Sequence, residues 1–150
     1  MVDIRPATAD DLPAIVALLT DDDLGRGRED ARLPLDAGYL AAYDAIAADP
    51  NQMLLVADDG GAVVGCLQLT FIPGLTRRGM WRGQIEGVRV ARTRRGAGIG
   101  RALIERAIAE CRARHCGLVQ LTTDKTRSRA HAFYASLGFE ASHEGMKLAL

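Results

Sequence analysis

The sequence predicts an α/β (α+β) fold, in which a mixed central sheet of six to seven strands is flanked by about four helices. Segments with strand-like and helix-like spacing of apolar residues alternate along the chain in the order β-α-α-β-β-β-α-β-α-β. The 150 residues have the length of one domain, residues 1–150, and no repeat or long linker divides them. Hydrophobic residues make up 48% of the chain and charged residues 25%, which suits a packed core and excludes wholesale disorder.

The first part of the chain predicts a strand, a helix, a loop and a second helix, at residues 2–6, 9–20, 21–35 and 36–48, respectively. Thr8 is a suitable cap for the first helix, and acidic residues follow it, as the positive end of a helix favours. The apolar residues of that helix recur at helical spacing, at Leu12, Ile15, Val16 and Leu19. The loop is acidic and contains glycines, and the second helix ends near Asp49 and Pro50.

The middle of the chain predicts a hairpin followed by a third strand. Residues 53–57 and 62–71 are strand-like and flank Asp58-Asp59-Gly60-Gly61, which is a strong turn sequence. A loop at residues 72–79 then leads into a strand at residues 81–90.

The last third predicts two helices with a buried strand between them. An amphipathic helix starts near Ile99 and keeps the 3.6-residue period over about four turns. A strand at residues 118–123 precedes a helix at residues 127–137, which Gly138 ends. We expect one or two final strands in residues 139–150.

Charge is distributed unevenly along the chain, although the formal net charge is zero. Residues 1–75 carry four basic and thirteen acidic side chains, whereas residues 76–150 carry fifteen basic and six acidic ones. Such a split predicts either a site for a polyanion in the basic half or simple pairing of the two halves across the fold. Exposed aromatics are not interleaved with the basic residues, so we expect no nucleic-acid partner but a compact, multiply charged small molecule.

A glycine-rich run, Gly96-Ala97-Gly98-Ile99-Gly100, lies between the strand at residues 81–90 and the following helix. Glycines let backbone N–H groups approach a ligand, and the first turn of a helix presents unpaired N–H groups with a partial positive charge. Neighbouring arginines add charge at Arg92, Arg94, Arg95 and Arg101. The pattern predicts a phosphate-binding loop, the alternative being a plain turn with solvated arginines.

Two other phosphate-binding motifs do not fit these residues. The Walker pattern fails because neither Lys125 nor Lys147 follows a glycine as required, and the dinucleotide fingerprint fails in its glycine spacing.

The run that begins at Arg95 matches the Gln/Arg-x-x-Gly-x-Gly/Ala signature of the GNAT superfamily of acyl-CoA N-acyltransferases. Residues 130–139 match its A-x-x-F-Y-x-x-x-G-F segment, residues 85–90 resemble its fourth strand, and residues 4–12 resemble its usual start. The sequence therefore resembles this superfamily over nearly its whole length, which implies a mostly antiparallel sheet.

The resemblance implies transfer of an acetyl group from acetyl-CoA, as co-substrate, to a primary amine, with no metal. In this family the fourth strand offers backbone groups to the pantetheine arm, which corresponds here to Val88, Arg89 and Val90. The loop that takes the pyrophosphate corresponds to Arg95, Gly96, Ala97, Gly98, Ile99, Gly100 and Arg101.

The reaction needs a proton acceptor for the ammonium, a donor for the carbonyl oxygen and an acid for the departing thiolate. By family analogy Tyr134 is the candidate acid and the backbone N–H of Val88 the donor, although Tyr134 would also suit a core aromatic. Glu86 is the candidate base, for which partial burial is needed. Simple alternation places Glu86 on one face with Val88 and Val90, although a bulge in the strand would change this. The alternative to a catalytic role is that Glu86 is a strand residue that faces solvent.

One position departs from the family pattern. Many relatives have asparagine where this chain has Arg127, so an asparagine contact to the cofactor arm is in doubt. We expect Arg127 to reach a cofactor phosphate or an anionic substrate instead.

The sequence predicts the acceptor amine less specifically than the cofactor. The chain resembles small-molecule acetyltransferases that act on aminoalkylphosphonates or glucosamine phosphates, and Arg77, Arg78 and Arg82 are candidates for an anionic group, or are solvated turn residues. A peptide or protein acceptor drawn to the acidic residues 21–23 is the alternative, as is a non-catalytic module that binds acetyl-CoA. Similar proteins are frequently dimers, so a homodimer is compatible with the resemblance.

Membrane, secreted and metal-dependent classes are not expected. No apolar run approaches the ~18 residues of a membrane span, and the first residues lack a secretory pattern, so we expect a cytoplasmic location. The three cysteines, Cys66, Cys111 and Cys116, are an odd set without a zinc-binding pair, which argues against both disulfides and zinc.

Overall fold

The computed structural model describes residues 2–150. The strands are Asp3–Pro6 (β1), Gln52–Asp59 (β2), Ala62–Ile72 (β3), Arg82–Val90 (β4) and Leu118–Leu121 (β5). The helices longer than one turn are Leu12–Thr20 (α1), Ala37–Ala48 (α2), Ile99–Ala113 (α3) and Ser128–Ser136 (α4). The predicted order of elements is confirmed as far as the last helix.

The strands form one mixed sheet in the order β1-β2-β3-β4-β5. Neighbours from β1 to β4 are antiparallel, and β5 runs parallel to β4. The β2–β3 hairpin turns through Gly60 and Gly61, whose φ angles of 63° and 98° suit glycine. The expectation of a mixed, mostly antiparallel sheet is confirmed.

Helix α3 covers one face of this sheet. It buries Leu103, Ile104 and Ala107 completely, and they pack with residues of β2, β3 and β4. Gly65 on β3 permits the close approach, because a Cβ there would lie only 3.1 Å from Leu103 Cδ1 and 3.2 Å from Ile99 Cγ2. The helix is thereby fixed directly after the glycine-rich run that precedes it.

Helix α1 covers the opposite face, where Ile15 and Leu18 pack against Val56 and Cys66. Its first residues are fixed by Asp11, which is buried, accepts from the Thr8 N–H at 2.7 Å and binds Arg5 through both carboxylate oxygens. The hydrogen bond from Arg5 lowers the pKa of Asp11 from 3.8 to about 2.

The sheet has five strands within residues 2–150, so the expectation of six to seven is wrong for this part of the chain. The final strands predicted in residues 139–150 do not form: residues 140–150 are exposed and lie outside any helix or strand. Apolar alternation alone does not make a strand, because a strand needs a neighbour to accept its backbone hydrogen bonds.

Candidate functional site

Strand β4 carries a bulge in its second half. Gln68 pairs with Glu86 and Cys66 pairs with Arg89, so that Leu67 alone lies opposite Gly87 and Val88. Gly87 has φ of 63°, which is the left-handed conformation that such a bulge uses. The carbonyl of Gly87 accepts from Cys66 Sγ at 3.4 Å, and burial raises the pKa of that thiol to about 12, so Cys66 stays protonated and holds the bulge.

The bulge reverses the alternation of side chains along β4. Val88 and Val90 pack against the core beneath α3, together with Ile85. Glu86 pairs with Gln68 and Arg89 pairs with Cys66, so both lie on the α1 face. Simple alternation, which places Glu86 with Val88 and Val90, is therefore wrong because one extra residue is inserted between them.

Strands β4 and β5 separate at the same point. Their parallel ladder runs from Arg82↔Leu118 to Ile85↔Leu121 and ends there. Val88, Arg89 and Val90 have no β5 residue beside them. The carbonyls of Val88 and Val90 accept instead from side chains, Arg89 Nη1 at 2.8 Å and Arg95 Nε at 3.4 Å. This opening is where an extended arm could pair with β4.

The glycine-rich run follows directly after β4 and leads into α3. Gly96 and Gly98 both have φ of 82°, and a Cβ built at either would meet nothing within 4 Å, so the outer surface of the turn is open. Within residues 2–150 the N–H groups of Gly96, Ala97 and Gly98 have no backbone acceptor, and the first turn of α3 from Ile99 supplies further unpaired donors. An anion would find several N–H groups converging here.

Two of these loop residues anchor the run. Ile99 is 4% exposed and lies in the core, and a Cβ on Gly100 would lie 3.4 Å from the ring of Phe133. The loop is therefore held from below while Arg95, Gly96, Ala97, Gly98 and Arg101 stay exposed above.

A buried carboxylate, Asp22, lies beside the opening. It follows α1 and accepts from the N–H groups of Leu24 and Gly25 at 2.9 and 2.6 Å. Arg89 Nε lies 2.7 Å from its Oδ2, and Arg127 donates to Oδ1 at 3.3 Å.

Burial acts to raise the pKa of Asp22, but the Gly25 N–H and the charges of Arg89 and Arg127 outweigh it and lower the pKa. Two arginines share one carboxylate, which leaves a surplus positive charge. Arg127, expected to reach a phosphate or an anionic substrate, is thus held by Asp22 in this structure.

Tyr134 on α4 faces the same region. It is half-buried and packs against Phe133 and Phe139, with ring centroids 5.2 and 5.9 Å apart. Burial raises the pKa of Tyr134, against the smaller opposing effect of the charges on Arg89 and Arg127. Tyr134 therefore combines a place at the edge of the core with a hydroxyl that stays protonated at neutral pH.

The remaining candidate residues are Glu86 and the three arginines Arg77, Arg78 and Arg82. Glu86 is exposed, so it lacks the partial burial that was expected of a base. Arg82 begins β4, which places it six residues, or about 20 Å, from Val88. Arg77 and Arg78 belong to the preceding turn and are exposed, so these three arginines lie at the far end of the strand from the bulge.

An apolar groove lies on the α1 face next to the bulge. Its walls come from α1, α2 and the sheet, and they are Leu12, Ile15, Val16, Leu19, Tyr39, Ala42, Tyr43, Ile46, Leu54, Cys66, Gln68 and Gly87. The groove reaches the bulge at Gly87 from the side opposite α3, so a small molecule in it would approach β4 across the sheet.

Ion pairs link the acidic and the basic half of the chain around this region. Arginines that flank the opening pair with the acidic residues after α1 and at the end of β2: Arg92 with Asp21, Arg89 and Arg127 with Asp22, and Arg94 with Asp59. Pairing across the fold thus accounts for part of the charge split, and the exposed Arg95 and Arg101 flank the glycine-rich run.

Sequence reasoning missed the role of Asp22. The sequence offers Asp21-Asp22-Asp23 as an attractant for a basic peptide, but these residues pair within the chain. Asp21 pairs with Arg92, Asp22 with Arg89 and Arg127, and Asp23 with Arg26. The available signal was an acidic residue followed three positions later by a glycine, which is a turn that an aspartate side chain closes.

No group of three or more His, Cys, Asp or Glu side chains in residues 2–150 is placed to hold a metal ion. None of the helices in that range has the length and apolar character needed to cross a bilayer.

The chain is similar to known proteins over most of its length. The family model described as "Acetyltransferase (GNAT) family" matches residues 14–139. The aminoalkylphosphonate N-acetyltransferase of Salmonella typhimurium is 31% identical over 144 residues, which cover 94% of this chain and 86% of that protein. The glucosamine 6-phosphate N-acetyltransferase of Trypanosoma brucei brucei is 38% identical over 90 residues, which cover 60% and 59% of the two chains.

A solved structure is similar over the full length. The crystal structure of a transcriptional regulator from Bacillus halodurans C-125 is 49% identical to this chain, with a TM-score of 0.98 and complete coverage of both chains.

Proposed function

Because the chain belongs to the acetyltransferase (GNAT) family, we propose that it moves an acetyl group from acetyl-CoA to the primary amine of a small molecule, by direct attack in a ternary complex. The observation that carries this proposal is the junction of β4 and α3. There an open strand backbone at Val88–Val90 continues into a turn whose N–H groups have no backbone acceptor within residues 2–150.

The residues of this junction fit acetyl-CoA. The open outer surface at Gly96 and Gly98 leaves room for phosphate oxygens, and the free N–H groups supply donors. Arg95 and Arg101 add exposed positive charge. Val88, Arg89 and Val90 would hold the pantetheine arm through their backbone, while Ile99 and Gly100 keep the turn against the core. Bound there, acetyl-CoA supplies the acetyl thioester.

Tyr134 is proposed as the acid that protonates the departing thiolate. Its raised pKa keeps the proton on the hydroxyl at neutral pH, and the nearby arginine charges favour a developing anion. The N–H of Val88, released from strand pairing on the β5 side, is proposed as the donor to the carbonyl oxygen.

Glu86 is proposed as the group that takes the proton from the ammonium, directly or through water. It lies on the α1 face, where the groove beside Gly87 opens. Its exposure favours a water-mediated route over direct contact.

The acceptor is proposed to be a small amine that enters by this groove. The named relatives act on an aminoalkylphosphonate and on glucosamine 6-phosphate, which both carry an anionic phosphorus group. The surplus positive charge shared by Arg89, Arg127 and Asp22 is the nearest candidate to receive such a group, since Arg77, Arg78 and Arg82 lie at the far end of β4. A peptide acceptor is less favoured because Asp21, Asp22 and Asp23 already pair with arginines of this chain.

Binding of acetyl-CoA to the glycine-rich turn tests the proposal. Acetyl-CoA should raise the Tm of the native chain, because it binds only the folded state. Gly98→Asp should abolish this shift through charge repulsion and loss of the close backbone approach. Gly60→Asp is the matched control, since Gly60 also has positive φ and open surroundings but lies in the β2–β3 turn. An equal shift in both variants would contradict the assignment of this turn.

A further inference from the structure

Two of the three cysteines meet where α3 ends. The N–H of Cys116 donates to the carbonyl of Cys111 at 2.9 Å, and the N–H of His115 donates to the carbonyl of Arg112 at 3.0 Å. His115 has φ of 60°, so these bonds form the helix end with a left-handed residue, in which the side chains on either side of the end contact each other. Here those two side chains are Cys111 and Cys116.

The backbone bond fixes how far apart the two cysteines lie. A distance of 2.9 Å between the Cys111 oxygen and the Cys116 nitrogen, with the covalent bonds on either side, keeps their Cα atoms within about 7 Å. This is the limit of the Cα separation that a disulfide spans. The thiols also act on each other, because burial and then the neighbouring Cys116 thiol raise the pKa of Cys111 to about 12. The two sulfurs are therefore neighbours in the folded chain.

The two thiols differ in their access to solvent. Cys111 is 1% exposed, and its Sγ rests on β4, where a Cβ on Gly83 would collide with it. Cys116 is half-buried, and the exposed basic residues Arg112, Arg114 and His115 lie between the two cysteines in the chain. Basic neighbours favour the thiolate, which is the form that attacks a disulfide. Cys116 is therefore the accessible nucleophile, and Cys111 is the buried thiol beside it.

Cys66 lies apart from this pair. It packs on the α1 face of the sheet with Ile15 and Leu18, whereas Cys111 packs beneath α3 on the opposite face. An odd number of cysteines argues against a disulfide framework, but the fold divides the three into one single thiol and one pair. A reversible disulfide is compatible with a reducing compartment, where such bonds form in response to oxidants.

We propose that Cys111 and Cys116 form a site of thiol–disulfide exchange, at which a low-molecular-weight disulfide oxidises the pair to a disulfide at the end of α3. The thiolate of Cys116 attacks one sulfur of the small disulfide, whose other sulfur leaves as a thiolate and takes up a proton. Cys111 then loses its proton to solvent, attacks the Cys116 sulfur and releases the second small thiol. The two protein thiols are oxidised, and the small disulfide is reduced to two thiols.

The disulfide stabilises the fold at a distance from the proposed acetyl-transfer site. Gly117, next to Cys116, donates from its N–H to the carbonyl of Trp81 at 2.8 Å, so the bond fastens the end of α3 to the starts of β4 and β5. Closing this short loop should raise the Tm by about 5 °C. The glycine-rich turn lies at the other end of α3, about 20 Å away, so the test below is independent of acetyl transfer.

Incubation with oxidised glutathione, followed by acid quenching and alkylation of the unfolded chain, tests the exchange. We expect Cys66 to be alkylated and Cys111 and Cys116 to be protected. Trypsin cuts after Arg112 and Arg114, so the peptides that carry the two cysteines stay joined only through their disulfide. Thermal unfolding should show the higher Tm, and a reducing agent should return it to the value of the untreated chain.

Cys116→Ser is the control, because it removes the half-buried thiol and leaves the two buried ones. It should form no disulfide, and oxidised glutathione should leave its Tm unchanged. Three alkylated thiols in the native chain would overturn the proposal, as would a mixed disulfide on Cys116 that does not close or a disulfide between two copies. The peptide result uses the native chain, so it decides the question even if the variant does not fold.

Discussion

At the residue scale, Tyr134 joins the core to the site. Its ring packs on Phe133 and Phe139, which is the structural role that a sequence pattern alone could not separate from a chemical one. Its raised pKa and the nearby charges of Arg89 and Arg127 support the chemical role.

Tyr134→Phe separates the two roles, because it keeps the ring and removes only the hydroxyl. We expect turnover to fall by about tenfold to a thousandfold, with little change in affinity for acetyl-CoA. In the native enzyme the loss of rate from ionised tyrosine should begin only above pH ~10, since burial raises this pKa. Steady-state rates across pH and acetyl-CoA titration measure both quantities. If the Tyr134→Phe variant kept full activity and only its Tm fell, the role of Tyr134 would be structural alone.

Glu86→Gln tests the proton acceptor. Turnover near neutral pH should fall and partly recover at high pH, where more of the amine is already neutral in solution. Glu110→Gln is the matched control, because it removes a carboxylate that pairs with Arg106 at the other end of α3. An unchanged pH–rate profile in Glu86→Gln would instead assign the proton to water held by backbone carbonyls.

At the element scale, the fold depends on how α1 and β4 are fixed. The sequence left the bulge in β4 as an open alternative, because Gly87 is compatible with both a regular strand and a bulge. The helices α1, α2 and α3 were predictable, since their apolar faces recur at helical spacing or their ends carry strong stop signals. The final strands expected in residues 139–150 do not form, because the alternation at Met146, Leu148 and Leu150 does not by itself supply a neighbouring strand to pair with.

The lowered pKa of Asp11 predicts how the stability of the folded chain changes in acid. Its pKa is lowered in the folded state from 3.8 to about 2, so it contributes stability above pH ~4 that is lost as pH falls toward 2. Asp11→Asn should lower the free energy of unfolding at neutral pH by about 1–2 kcal/mol and flatten the loss of stability between these values. Urea unfolding at several pH values measures this. The adjacent, exposed Asp10→Asn is the control and should change neither quantity; an equal effect of the two substitutions would remove the role given to Asp11.

At the scale of the whole molecule, the charge split serves two purposes. Pairs such as Arg92 with Asp21 and Arg94 with Asp59 hold the halves together. Arg95 and Arg101 are exposed around the turn, where Arg101 pairs with Glu105 on its own helix. The charge split predicted either a site for an anion or pairing of the two halves across the fold. It could not predict which arginines are used internally, because this depends on the position of the loop after α1.

Binding of acetyl-CoA should therefore weaken as salt is added. The contacts at the exposed turn are screened within a Debye length of about 8 Å at physiological ionic strength. Calorimetric titration at 0.05 and 0.5 M salt, where the screening length is about 14 and 4 Å, should show a clear fall in affinity. Affinity that does not depend on salt would mean that the charged phosphates are not held at this turn.

Release of CoA thiol, measured with a panel of amines, tests the central claim most directly. The panel contains aminoalkylphosphonates, amino-sugar phosphates, uncharged amines, basic peptides and a blank without amine. We predict rapid release with a small primary amine, fastest for those that carry a phosphonate or phosphate, and little release in the blank. Release with peptides alone would assign a protein acceptor, and binding of acetyl-CoA without release for any amine would contradict the catalytic proposal and leave a module that only binds acetyl-CoA.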